Sequence, residues 1–146
     1  MTKAHRKATT KKGLSFLLAI LLTFPVFSSF ASAAEITPYY NNVATVRSNA
    51  IITSSGYIDI TNQYFGFPGE IDHVVIETKV EKKTLGIFWF DVDGGEWTDT
   101  LYQETYTGNH GVQLPERGTY RVTVDYTFYG TSGKNDEVRS QFTKEY

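Results

Sequence analysis

Residues 119–130 read TYRVTVDYTFYG. Tyr120, Val122, Val124, Tyr126 and Phe128 alternate with Arg121, Thr123, Asp125 and Thr127. In an extended chain successive side chains point to opposite faces, so this order places every large apolar group on one side and the polar groups on the other. A helical period of 3.6 would scatter the same residues around the axis. Period two, filled with β-branched and aromatic residues, predicts a half-buried strand.

The same reading extends along the chain. In YIDITNQY (57–64), Ile58, Ile60 and Tyr64 face one way and Asp59, Thr61 and Gln63 the other; in residues 73–83, Val74, Ile76 and Val80 oppose Glu77, Lys79 and Glu81. Turn-forming residues punctuate the runs at 54–56, 66–69, 93–96, 108–111 and 130–135. About seven strands are expected, at 43–53, 57–64, 71–82, 86–92, 96–106, 119–129 and 137–144. Short strands with regular turn signals and no amphipathic helix predict an all-β chain folded as a single antiparallel β-sandwich. Residues 35–146 are enough for one domain that buries roughly two thirds of its unfolded surface.

The N-terminus has a different composition. Lys3, Arg6, Lys7, Lys11 and Lys12 precede an apolar run at 14–27 that contains Pro25, and small residues follow to Ala34. This three-part build predicts a secretory signal peptide over residues 1–34, cleaved at Ala33-Ala34 or Ala34-Glu35. A spanning helix needs about 20 apolar residues and would not carry the proline and the small-residue exit. The expected product is therefore extracellular, with no stable membrane insertion after cleavage.

Nine basic residues then face 16 acidic ones, a formal balance of −7. With its cations scattered, such a chain repels phosphate backbones, so no nucleic-acid partner is expected. The same charge argument disfavours docking on anionic lipid. The chain has no cysteine, hence no disulfide, thiol nucleophile or lipidated cleavage site. It also has no N-x-S/T acceptor after the signal, a combination that suggests a Gram-positive bacterial origin. LPERG (114–118) differs from a sortase pentapeptide by Arg117 in place of Thr and lacks a following apolar tail, so release rather than wall anchoring is expected.

LPERGTYRVTV (114–124) is similar to the "tyrosine corner" of immunoglobulin-like and fibronectin-like sandwiches, with Leu114, Gly118 and Tyr120 at matching spacing. The resemblance implies an immunoglobulin-like architecture in which the Tyr120 hydroxyl bonds back to upstream backbone. It implies no activity, since function resides in sites and not in folds. AEITPYYNN, EKKTLGIFW and GTYRVTVDYTFYG together resemble small secreted β-sandwich proteins of Gram-positive bacteria, a group that carries no activity to transfer.

Candidate chemistry concentrates in LGIFWFDVDGGEWTDTLYQ (85–103). Asp91, Asp93, Glu96 and Asp99 offer oxygens suited to Ca²⁺, but an EF-hand would need an oxygen ligand at Gly95 and Glu at Tyr102. The acids read instead as the solvated tip of a hairpin turning at Asp93-Gly94-Gly95, with weak calcium binding as the residual alternative. Neither His73, at a strand start, nor His110, in a Gly-Asn-His-Gly turn, completes a hydrolase triad. No catalytic residue, cofactor or metal is expected.

Eighteen aromatic residues remain after the signal, more than a core of this size requires. Phe88 and Phe90 share one face of their strand while Ile87 and Trp89 share the other, so that strand is either covered twice or offers a face to a partner. Trp89, Trp97, Tyr57 and Tyr129 are the candidate ligand-binding residues, placed as carbohydrate-binding or protein-binding sheets place aromatics. The expected function is a secreted non-catalytic binding protein for cell-wall glycan, host glycan or protein. A hydrolase using paired carboxylates and a microbial-competition effector are the alternatives.

Overall fold

The computed structural model describes residues 40–146; the expected signal peptide and its cleavage positions lie outside the described residues. Seven antiparallel strands form two sheets: β1 (Val43–Ile52), β2 (Tyr57–Gly66), β3 (Ile71–Thr84), β4 (Phe88–Leu101), β5 (Thr105–Gln113), β6 (Thr119–Gly130) and β7 (Asn135–Glu145). The three-stranded sheet has the order β1-β2-β5 and the four-stranded sheet β4-β3-β6-β7. The chain changes sheets between β2 and β3, between β4 and β5, and between β5 and β6. This is the all-β sandwich that the alternation predicts.

The inward residues of β6 are the centre of the core. Tyr120, Val122, Val124, Tyr126 and Phe128 are all buried, facing Ile58, Ile60 and Tyr64 of β2 and flanked by Val74, Ile76 and Val80 of β3. Burying each such side chain contributes about 1.5–3 kcal/mol. The Phe128 ring meets Tyr64 edge-on at 5.3 Å, and the Tyr64 hydroxyl donates to the Gln103 carbonyl at 2.7 Å. The interior also holds a polar tie between the sheets, Asn62 Nδ2 to Thr78 Oγ1 at 3.0 Å. The Tyr120 hydroxyl donates to the Glu116 carbonyl at 2.5 Å, the bond that the tyrosine-corner resemblance implies.

Asp136 closes the end of the sandwich where β1 begins. Its carboxylate accepts the Asn42 N–H at 2.6 Å, the Asn41 N–H at 3.0 Å and the Asn41 side-chain amide at 3.2 Å. Burial alone would push this carboxyl up, but those hydrogen bonds outweigh it and hold it below its ordinary value of 3.8.

Two turn assignments from sequence need correction. Asp93-Gly94-Gly95-Glu96 is not a hairpin tip; it lies inside β4, where residues 92–95 stand opposite the single residue Val80, between the pairs Lys79–Glu96 and Glu81–Asp91. This wide bulge coils tightly enough that Gly94 takes φ +71° and a Cβ on Gly95 would stand 2.9 Å from the Val92 carbonyl oxygen. Gly108-Asn109-His110-Gly111 is likewise no turn; it is the middle of β5, paired residue for residue with β2. Strands expected at 86–92 and 96–106 are therefore one bulged strand and the start of the next. The total of seven survives because an unforeseen β5 replaces the strand lost in the merger.

Candidate functional site

The true reversal between β3 and β4 is at Leu85-Gly86. Both residues have positive φ, 53° and 74°, and the Ile87 N–H donates to the Thr84 carbonyl at 3.3 Å, the signs and bond of a type I′ turn. Such positions favour Asn or Gly; holding a Leu there costs about 1–2 kcal/mol. That strained Leu85 is also 84% exposed. An unfavourable backbone conformation at an exposed apolar residue is a feature that folding does not require.

The strands behind the turn carry more apolar surface. Register places Thr84 opposite Phe88, Lys83 opposite Trp89, Lys82 opposite Phe90 and Glu81 opposite Asp91. Phe88 and Phe90 share the inward face with Val74 and Ile76, yet they are exposed, as is Ile87. β4 is an edge strand, and neither Phe88 nor Phe90 is among the side chains packed against the core. Of the two alternatives for this strand, the central one covered on both faces is not found, because β4 is an edge strand and Phe88 and Phe90 are exposed.

Trp89 points to the outer face and is half-buried under two cations. The Arg121 guanidinium lies 4.4 Å from its ring centroid and the Lys83 ammonium 5.6 Å. Arg121 also binds Glu81, with both Nε and Nη2 at 2.7 Å from Oε2. Tyr129, on the same face at the opposite end, is stacked on His73 at 4.2 Å, and His73 Nδ1 bonds to Asp72 at 2.7 Å. Trp97 faces inward against the core and stacks on His110 at 5.0 Å. Tyr57, on the outer face of the smaller sheet, lies across Gly111, where a Cβ would collide with its ring. The four candidate ligand-binding residues therefore occupy four separate places, and each ring already rests against a neighbour.

The acids disperse in the same way. The Lys79 ammonium bridges Asp91 at 2.7 Å and Glu96 at 3.2 Å, and these two bonds hold its pKa above the ordinary lysine value. Asp93 is exposed on the bulge, while Asp99 turns inward and accepts a hydrogen bond from His110 Nε2 at 2.6 Å. Among the described residues no group of three or more His, Cys, Asp or Glu could hold a metal ion. The Asp99–His110–Trp97 cluster joins β4 to β5 at the edges of the two sheets, an arrangement hidden from sequence by the apparent glycine turn. No protein-family model matches the chain, and no curated protein matches it.

Sequence reasoning noticed the two-sided apolar strand but missed Leu85, Ile87, Phe88 and Phe90 as one exposed surface. A further reversal expected at Asp93 made 86–92 a short strand of its own and left Leu85 in the gap after the strand at 71–82, apart from Ile87, Phe88 and Phe90. The overlooked signal is charge: residues 82–90 hold Lys82 and Lys83 and no acid, in a chain otherwise rich in acids.

Proposed function

We propose that this chain is a secreted, non-catalytic β-sandwich that attaches to a partner through the β3–β4 hairpin. The observation that carries this reading is the strained, exposed apolar tip formed by Leu85, Ile87, Phe88 and Phe90. Contiguous apolar surface of this kind on a small soluble domain marks an interaction site. Secretion rests on the N-terminal sequence, and the Tyr120–Glu116 bond supports the immunoglobulin-like form of the sandwich.

Sugar stacking is the less favoured mode, since the indole and phenol faces proposed for it are engaged by Arg121, His110, His73 and Gly111. The acids favour a scaffold role over hydrolysis for a similar reason: Asp91 and Glu96 share one lysine, and Asp99 is spent on His110. Retention of the wild-type protein and an Ile87→Asp variant on isolated cell envelopes tests the reading. A loss of about tenfold or more with an unchanged melting temperature is expected, the scale of one hot-spot residue. Equal retention of the two proteins overturns it.

A further inference from the structure

Resting on the hairpin reading, we infer that the surface the hairpin engages is a lipid bilayer carrying anionic headgroups, with the tip entering the interface and Lys82, Lys83 and Arg121 at headgroup level. The side chains are graded along the hairpin axis. Leu85 and Ile87 form the apex, Phe88 and Phe90 follow on one face, and Trp89 with Lys83 and Arg121 follows on the other. The first acids of the hairpin itself, Glu81 and Asp91, stand three rungs behind the Thr84–Phe88 pair. Glu116, from the β5–β6 connection, reaches Lys82 one rung nearer the tip, so at about 3.4 Å per residue the acid-free depth is about 7 Å. Peripheral apolar elements settle about 5–10 Å into the boundary between headgroups and acyl chains. Trp at the interface, with cations beside it that reach outward, is the arrangement that this boundary selects.

Charge and area distinguish the bilayer from a protein partner. Whole-chain charge predicts repulsion from anionic lipid, but the contacting segment is locally cationic, and Lys83 makes no ion pair among the described residues. Of the three cations, Lys82 is committed to Glu116 and Arg121 to Glu81, which leaves Lys83 to meet an anionic headgroup. Leu85, Ile87, Phe88 and Phe90 expose on the order of 500 Å² of side chain, given about 150–250 Å² for a large aromatic. A stable protein interface takes about 800 Å² from each partner, together with convergent hydrogen bonds. The tip is convex and falls short of that area, and Thr84 is its one uncharged polar side chain. A fluid apolar phase requires neither a matching cavity nor directional bonds.

Flotation of the mature chain with phosphatidylglycerol–phosphatidylcholine vesicles, and with phosphatidylcholine vesicles alone, tests the inference. The wild type is expected to float with the anionic vesicles, with a blue shift of Trp89 emission. Ile87→Asp should lower partitioning about tenfold or more, and Lys83→Gln about fivefold on anionic vesicles only, the scale of one surface cation. Ile51→Asp, at an exposed apolar position on β1, serves as the control and should change nothing. Wild-type protein that floats with neither vesicle overturns the lipid inference, and if Ile87→Asp still weakens envelope retention, the hairpin reading stands with a protein partner. A wild-type dimer that Ile87→Asp dissociates assigns the tip to a second copy and also overturns it. Equal flotation of wild type and Ile87→Asp overturns the assignment of lipid contact to this hairpin.

Discussion

Strands β6 and β4 belong to the same sheet and are both rich in aromatic residues, yet they end in opposite circumstances. On β6, Tyr120, Tyr126 and Phe128 face inward and are buried; on β4, Phe88 and Phe90 face the same way and remain in solvent. The difference is coverage. β6 is a central strand whose inward side chains form the core, whereas β4 is an edge strand whose Phe88 and Phe90 stand outside it. Alternation thus tells which side of a sheet a residue occupies, and the length and order of the opposing strands decide whether that side is dry.

Paired truncations break this comparison most directly. Phe128→Ala should destabilise the fold by about 3–5 kcal/mol, the cost of emptying a fully buried aromatic site. Phe90→Ala, on the same nominal face, should cost less than about 1 kcal/mol, because its ring is already largely hydrated. Denaturant titration of both variants measures the contrast, and equal losses would mean that the hairpin face is covered.

The β7 neighbour of β6 gives the next effect. Asp136 lies across from Phe128 and anchors the start of β1, so Asp136→Asn should cost about 1–3 kcal/mol at neutral pH. The folded carboxyl is held below 3.8. Its stabilisation is therefore complete above that pH and is lost as pH falls through and below it. Melting curves against pH should show the gap between wild type and variant closing in acid; a gap that widened there would refute the assignment.

A smaller change tests the bulge that separates β4 from an ordinary strand. Gly95→Ala would bring a methyl group 2.9 Å from the Val92 carbonyl oxygen and 3.1 Å from the Val80 Cβ, neither of which is free to move aside. A loss of about 1–3 kcal/mol is expected, with a local shift of the Lys79–Asp91 and Lys79–Glu96 pairs visible in a structure of the variant. The smallest effect has the opposite sign. Leu85→Asn should raise stability by about 0.5–1 kcal/mol by placing a residue tolerant of positive φ at the turn, and should weaken whatever the tip binds. Thermal unfolding together with a binding measurement would show both.

Legibility followed the same division. Strands β2, β3 and β6 could be read because both faces declare themselves: apolar residues inward, charged or hydroxylated residues outward. The Tyr120–Glu116 bond could be anticipated from the spacing of Leu114, Gly118 and Tyr120. At β4 and β5 local turn chemistry misled. Asp-Gly-Gly and Gly-Asn-His-Gly tolerate reversal, but they also tolerate a bulge and a strand whose glycines make room for Tyr57 and Tyr106. The actual turn uses Leu-Gly, a pair outside the usual hairpin vocabulary, because the apolar residue is present at a cost to the backbone. The candidate site was half-visible: the apolar strand was recognised, and its exposure required knowledge of sheet order.

The bulge at residues 92–95 has a further consequence for solubility. β4 is an open edge that begins within LGIFWF (85–90), a short stretch of high β-propensity with no charge, which is the composition that templates fibril growth. Four residues looping out opposite one, and glycines that coil the backbone, interrupt the row of free peptide groups beyond that stretch. An incoming strand can find only a short length of regular edge before its register fails. Shortening the bulge to restore an unbroken β4 would therefore leave a long regular edge open to pairing with another chain.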